Sequence, residues 1–214
     1  MHQCKICQSD TTVIFDNKKE LSYYRCNFCG FIYLDDKFII DKESEKSKYD
    51  MHNNGFDSLG YVKMFEDFIE KAIVPYEENI ESVLEFGCGS GPVLAELLER
   101  RGLMVDIYDL YFYPKKVYEG KMYDFITSTE VFEHLKEPLK ILKLLVEHTN
   151  KSGYIVLMTK FPPKEDEAFL AWWYRRDPTH ISFFTPKSFE LMAKIVEVKV
   201  VKFIDNNIVV FQKK

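Results

Sequence analysis

The stretch VLEFGCGSGPVL, residues 83–94, carries an apolar run straight into a turn with glycine at positions 87, 89 and 91. A strand, then glycines, then a helix is the local pattern of a ligand loop at the carboxyl end of a parallel strand. Working outward, residues 82–86 read as a buried strand, 91–101 as a helix closed by Gly102, Leu103–Tyr108 as a second strand and Tyr123–Ser128 as a third. Glu137–His148 follows as a helix and Gly153–Thr159 as a fourth strand. Pro186–Val196 reads as a helix with Thr185 as its cap and Pro186 at its first position. Val198–Phe203 and Ile208–Gln212 flank the turn Asp205-Asn206-Asn207 and form a terminal hairpin. Leu59, Val62, Phe65, Ile69, Ala72, Ile73 and Tyr76 recur at helical spacing, placing a helix of about 20 residues ahead of the whole array. On that helix, Met64 and Phe68 are expected in the core. The alternation predicts an α/β fold, a Rossmann-like, doubly wound and mostly parallel sheet closed by an antiparallel hairpin.

The glycine loop constrains its ligand. A dinucleotide fingerprint G-x-G-x-x-G would need its third glycine at position 92, where this chain has Pro92. Glu85, two residues before the first glycine, would also repel a pyrophosphate held in a poorly solvated cleft. A ligand with positive charge and no phosphate suits the loop better, and S-adenosylmethionine meets that description with a sulfonium, an ammonium and one carboxylate. Its carboxylate would favour the helix N-terminus that follows the loop.

At these residues the chain resembles class I S-adenosylmethionine-dependent methyltransferases. Their first motif, E/D-x-G-x-G-x-G, is matched by Glu85, Gly87, Gly89 and Gly91, and the resemblance covers about residues 55–214. It implies that Asp109, near the end of the second strand, accepts hydrogen bonds from the ribose hydroxyls, with Asp106 as the competing carboxylate. Only thirteen residues, 110–122, separate Asp109 from Tyr123, too few for the helix, strand and second helix usual at this point of the family. Cys88, inside the loop, is expected to pack.

Four of the five cysteines form Cys4-Lys5-Ile6-Cys7 and Cys26-Asn27-Phe28-Cys29 with eighteen residues between the pairs. This C-x2-C…C-x2-C spacing predicts a tetrahedral structural zinc site. Gly30 permits the second turn. Thr11–Phe15, Leu21–Tyr24 and Phe31–Leu34 read as short strands around it, so residues 1–40 form a zinc ribbon whose unfolding should leave the larger domain folded. Residues 1–36 hold four basic side chains (Lys5, Lys18, Lys19, Arg25) against five acidic ones (Asp10, Asp16, Glu20, Asp35, Asp36), a balance that favours a structural or substrate-covering role over nucleic-acid binding. Residues 41–54 are charged, lack apolar periodicity and read as a linker; residues 55–214 form the cofactor-binding domain. In the linker, Tyr49 and His52 precede the entrance helix, where they are expected either to cap the cofactor pocket or, for the histidine, to be a satisfied surface residue.

The net charge of −5 argues against bulk electrostatic binding of nucleic acid. No apolar run approaches the ~18 residues of a membrane span, and Met1-His2-Gln3-Cys4 does not open as a secretion signal, so a cytoplasmic location is expected.

Past the third strand comes TEVFEHL, in which Glu130, Glu133 and His134 would share one helical face. Residues 161–180 carry Phe161, Trp172, Trp173, Tyr174, Arg175 and Arg176 ahead of His180, an aromatic and cationic set suited to a planar or anionic acceptor or to core and surface pairing. These segments resemble ubiquinone-biosynthesis O-methyltransferases and small-RNA terminal 2′-O-methyltransferases. The second resemblance implies that Glu130, Glu133, His134 and His180 hold a divalent metal that would lower a hydroxyl's pKa; alternatively Glu133 and His134 order the loop and His180 acts as a base. Zinc ribbons also accompany this fold in deoxysugar C-methyltransferases and a ribosomal-RNA methyltransferase family. The expected function is methyl transfer to a small-molecule hydroxyl. The alternatives are RNA methylation or a cofactor-sensing binding module without turnover.

Overall fold

The structure is a computed structural model that describes residues 2–51 and 54–214. It divides into two sheets. The first is antiparallel, in the order β1-β2-β3-β8, from β1 (Thr11–Asp16), β2 (Leu21–Cys26), β3 (Ile32–Leu34) and the much later β8 (Ser182–Phe183). The second has six strands in the order β5-β4-β6-β7-β10-β9: β4 (Ser82–Phe86), β5 (Met104–Tyr108), β6 (Tyr123–Thr129), β7 (Thr149–Met158), β9 (Val198–Ile204) and β10 (Ile208–Lys213). Strands β5, β4, β6 and β7 run parallel, and β10 pairs antiparallel with both β7 and β9, giving the predicted hairpin.

Period-two alternation sends successive side chains of this sheet into two cores. Leu84, Phe86 and Ile126 face one layer with Leu142 and Leu145 of α4 (Pro138–Glu147) and Phe189 and Met192 of α6 (Pro186–Ile195). Val83, Phe125 and Val156 face the other, with Phe65, Phe68 and Ile69 of α2 (Leu59–Ala72) and Leu94 and Leu98 of α3 (Val93–Glu99). Phe68 is buried as expected, whereas Met64 reaches the cavity described below. Thr185 caps α6 through a reciprocal capping box with Ser188, as Thr-Pro at its start foretold.

Residues 41–54 differ from the expected linker. Lys42–Tyr49 form helix α1, which lacks an apolar stripe and is made instead by local polar contacts. Asp41 caps it by accepting from the amides of Glu43 and Ser44, while Lys46–Asp50 and Tyr49–Glu45 bridge consecutive turns. Tyr49 lines the cavity, and His52 lies outside the described residues.

The two sheets share a core. Cys26, Cys29, Phe31 and Tyr33 belong to the same buried cluster as Phe184 and Phe189. A short helix α5 (Asp166–Ala171), within the segment expected as a loop, packs Phe169 against Ile14 and Tyr23. The ribbon is therefore continuous with the larger domain. The expectation that it could unfold alone meets a sheet in which β3 pairs with β8, some 150 residues later.

Candidate functional site

The parallel strand order reverses between β4 and β6, and at their carboxyl ends lies a cavity of about 960 Å³. Such switch points are where open α/β sheets bind ligands, and the volume is that of a small-molecule site. Gly87, Gly89, Asp109, Glu130, His134, Tyr174 and His180 all line it. Another cleft of about 890 Å³, between the ribbon and α4, contains none of these residues.

Glycine is required at three points of the loop for different reasons. Gly87 and Gly89 have φ of +88° and +66°, in the left-handed region. Gly91 has no such φ, but a Cβ there would lie 2.0 Å from the carbonyl oxygen of Asn54, so the chain crossing the loop needs the missing side chain. Asp109 ties the loop together. Its Oδ2 accepts from the amide of Gly89 at 3.0 Å, and its Oδ1 from Tyr111 and Phe112 at 2.8 and 3.0 Å. Asp106, the competing carboxylate, instead pairs with Lys121 and Tyr123, both at 2.6 Å, and is not among the cavity residues. No other strand intervenes between Asp109 and Tyr123 among the described residues; Tyr118 folds back onto Phe86 and Tyr108.

Glu85 is buried behind the loop, where it accepts from the amide of Ala95 at 2.9 Å. The first-turn amide expected to face a ligand carboxylate is thus already engaged. Burial, with the nearby Asp109 charge, pushes the Glu85 carboxyl up to about 8 against the pull of that amide. Asp109 is the carboxylate that lines the cavity at this end, and its charge would favour a cationic ligand over an anionic one.

The second group of residues hangs from the end of β6. The helical face expected for Glu130, Glu133 and His134 is reduced to one 3-10 turn, Phe132–His134, preceded by Glu130 with φ of +53°. Glu133, His134 and His180 nevertheless converge, with ligating atoms within 4.8 Å of one another. Glu130 lies outside that trio and is joined to it by Tyr174, whose hydroxyl is 3.0 Å from Glu130 Oε2 and also bonded to Glu133 Oε1. One hydroxyl proton cannot serve two carboxylates. Burial, reinforced by the charge of Glu133, pushes Glu130 up to about 8, so the pair retains a proton near neutrality. Glu133 Oε2 is fully buried without a hydrogen-bond partner.

Both histidines are oriented by backbone carbonyls. Nδ1 of His134 is 3.0 Å from the carbonyl of Thr179, and Nδ1 of His180 is 2.7 Å from that of Tyr174. A carbonyl oxygen only accepts, so each Nδ1 carries a hydrogen, and in the neutral ring the lone pair is on Nε2. This is the arrangement by which metal-ligating histidines are commonly oriented.

The residues of the aromatic segment separate. Trp173 is 63% exposed and lines the cavity with Arg176. Trp172 packs against the ribbon core, and Arg175 is buried in an ion pair with Asp16 at 2.6 Å, so it faces no substrate. Tyr174 went unnoticed as a hub because its role depends on contacts with residues more than forty positions away.

In the ribbon, Sγ–Sγ distances are 3.7 Å for Cys4–Cys29, 3.4 Å for Cys7–Cys26 and 3.8 Å for Cys7–Cys29. Four thiolates around zinc at ~2.3 Å stand about 3.8 Å apart along the tetrahedron's edges. Amides of Ile6, Phe28 and Cys29 point at these sulfurs, so the four cysteines fit that ion.

Among the described residues no helix is long and apolar enough to cross a membrane. None of the curated proteins matches this chain in sequence. The fold is similar to magnesium protoporphyrin IX methyltransferase from Synechocystis with bound S-adenosylmethionine, at a TM-score of 0.52 and 14% identity over 73% of this chain and 81% of that one. It is also similar to a methyltransferase from Archaeoglobus fulgidus, at 0.53 and 15% identity over 81% and 100%. A Burkholderia thailandensis O-methyltransferase family protein aligns at 0.56 and 11% identity over 83% of this chain and 61% of its own. A family model described as a methyltransferase domain matches residues 60–202. The sequence motif, the reversed strand order and this match place the chain in the methyltransferase-domain family, as a class I S-adenosylmethionine-dependent methyltransferase.

Proposed function

We propose that this enzyme methylates a hydroxyl of a small-molecule acceptor held beside the Glu133–His134–His180 cluster, with Glu85, Gly87, Gly89, Gly91 and Asp109 forming the cofactor site. One observation carries the reading: Gly87 and Gly89 of the loop and His134 and His180 of the cluster line the same cavity. S-adenosylmethionine, when bound, supplies a methyl group on a sulfonium. The glycines admit it closely, and Asp109 has carboxylate oxygens with remaining lone pairs for its hydroxyls.

At the acceptor end, His134 and His180 in their neutral form would offer Nε2, and Glu133 offers a buried oxygen without a hydrogen-bond partner. A divalent ion such as Mg or Mn fits this N2O set and would lower the pKa of an acceptor hydroxyl. Tyr174 and Glu130 hold Glu133 in place, and Glu130 can retain or release the proton the pair shares. Without an ion, the Nε2 of a neutral His180 would instead take the acceptor's proton. Cys4, Cys7, Cys26 and Cys29 bind a structural zinc, and four free thiols suit a cytoplasmic setting.

The test is incubation with methyl-labelled S-adenosylmethionine and cell extract separated into small-molecule and RNA pools. Label in the small-molecule pool, resistant to the mild base that cleaves methyl esters, is expected. Label confined to RNA would replace the acceptor assignment, and no label in either pool would refute the transfer.

A further inference from the structure

The ribbon reaches the Glu133–His134–His180 cluster through residues 174–183, which it holds at both ends. At one end, Arg175 donates to Asp16 of β1 at 2.6 Å and to Tyr23 of β2 at 3.3 Å, both buried. At the other, β8 pairs with β3, Ile32 opposite Phe183 and Tyr33 opposite Ser182, and the amide of Leu34 donates to Ile181 at 2.9 Å. Between these anchors lie the groups that shape the cluster. Tyr174 belongs to the same buried core as Ile14, Tyr23, Ile32 and Leu34 of the ribbon, while its hydroxyl reaches Glu133 and Glu130 and its carbonyl orients His180. The Thr179 carbonyl orients His134, the Ile181 amide donates to the Glu133 carbonyl at 2.8 Å, and the Ser182 hydroxyl donates to Leu135 at 2.7 Å.

We infer that the ribbon is a positioning module of the acceptor site, and that Asp16 and Arg175 are positioning residues acting on His180 through Tyr174. An ion pair this buried contributes little net stability compared with apolar replacements, yet it fixes one geometry. The inference rests on His180 belonging to the acceptor site. The experiment reads the imidazole itself, with citrate present to keep any ion off Nε2 while the ribbon retains its zinc, so its outcome is separate from whether methyl transfer or metal binding is found.

Long-range proton–nitrogen NMR on 15N-labelled full-length protein reports which ring nitrogen of His180 carries the hydrogen. Wild type is expected to show one Nδ1–H form. In the double variant Asp16→Leu/Arg175→Met, which replaces the pair with apolar side chains, His180 should split between both tautomers while S-adenosylmethionine affinity by calorimetry stays within about twofold. A folded double variant with an unchanged His180 spectrum overturns the inference. Should that variant fail to fold, Asp16→Asn decides. It keeps an Oδ1 for the amides of Lys18 and Lys19 and turns the Oδ2 facing Arg175 into an NH2, removing both the charge and the acceptor, so the tautomer mixture is expected there too, and a wild-type spectrum overturns the inference equally.

Discussion

Gly89 donates its backbone amide to Asp109 Oδ2 over 3.0 Å, so the loop after β4 and the turn after β5 are one unit. Asp109 therefore has two tasks: it shapes the loop, and it offers its remaining lone pairs to a ligand. Asp109→Ala should weaken S-adenosylmethionine binding about a hundredfold, corresponding to roughly 3 kcal/mol for two charged hydrogen bonds. Asp109→Asn retains an oxygen for part of the amide set and should fall between. Calorimetry checks both, and equal affinity in Asp109→Ala would remove it from the site.

Gly91 gives a separate handle on the same cavity. A Cβ would meet the Asn54 carbonyl at 2.0 Å and its carbon at 2.8 Å, both backbone atoms that cannot rotate away. Gly91→Ala should displace the chain at Asn54–Gly55 and weaken cofactor binding at least tenfold, while leaving the sheet intact. Hydrogen exchange that rises around residue 55 with unchanged protection in β4 and β6 would verify the mechanism.

The pH dependence of the cofactor-free protein should carry, beside the contribution of Glu130, one from Glu85. Its carboxyl ionises near 4.5 when unfolded and at about 8 when folded, so the folded state binds the extra proton between those values. Stability should fall as pH rises from about 5 to 8 and level off above. A tenfold change in proton affinity is worth about 1.4 kcal/mol, which makes the ionised form costly by a few kcal/mol. Glu85→Gln has no such proton to lose. Urea titrations should show its stability varying less over this range and exceeding wild type at pH 8; parallel pH profiles for the two proteins would contradict the assignment.

Much of this architecture is written locally. The strand 82–86 appears with its predicted bounds because a short apolar run ends at Gly87, and α6 starts where Thr185 and Pro186 say it should. The glycine loop and the four cysteines are legible for the same reason, since each motif carries its geometry in its spacing. Helix α1 was not, because its stability comes from a cap and i,i+4 pairs and leaves no apolar period to detect. Arg175 was open to two readings because sequence cannot show that Asp16, 159 positions earlier, lies against it. The convergence of Glu133 with His180 is likewise a product of β8 joining a sheet begun at residue 11.

That continuity changes what loss of zinc should do. One zinc per chain is expected, and structural sites of this kind contribute on the order of 10 kcal/mol to folding. Cys26→Ser should lose the metal and, because Cys26 shares its core with Phe184 and Phe189, also loosen β8 and the start of α6. Elemental analysis with hydrogen exchange checks this. Rapid exchange confined to residues 2–40 would instead show a ribbon that unfolds alone, and a metal-free wild type with a protected N-terminal sheet would refute the zinc site.

The remaining question at the acceptor end is whether Glu133, His134 and His180 act through an ion or by themselves. If they hold one, Mn added to the purified protein should give a bound EPR signal that disappears in Glu133→Gln and in His180→Asn, and a chelator of citrate strength should abolish turnover while the ribbon keeps its zinc. If His180 works alone as base, Mn should not bind there. His180→Ala would then lower turnover about a hundredfold or more, within the usual 10²–10⁴ of a general base, with cofactor affinity unchanged. Tyr174→Phe separates the two further. It removes the hydroxyl from between Glu130 and Glu133 but leaves the carbonyl that orients His180, so it should weaken Mn binding about tenfold, the lower end for a supporting partner, and spare a base mechanism. Full turnover by His180→Ala on the identified acceptor would exclude both roles and leave His180 as a packing partner of Tyr174.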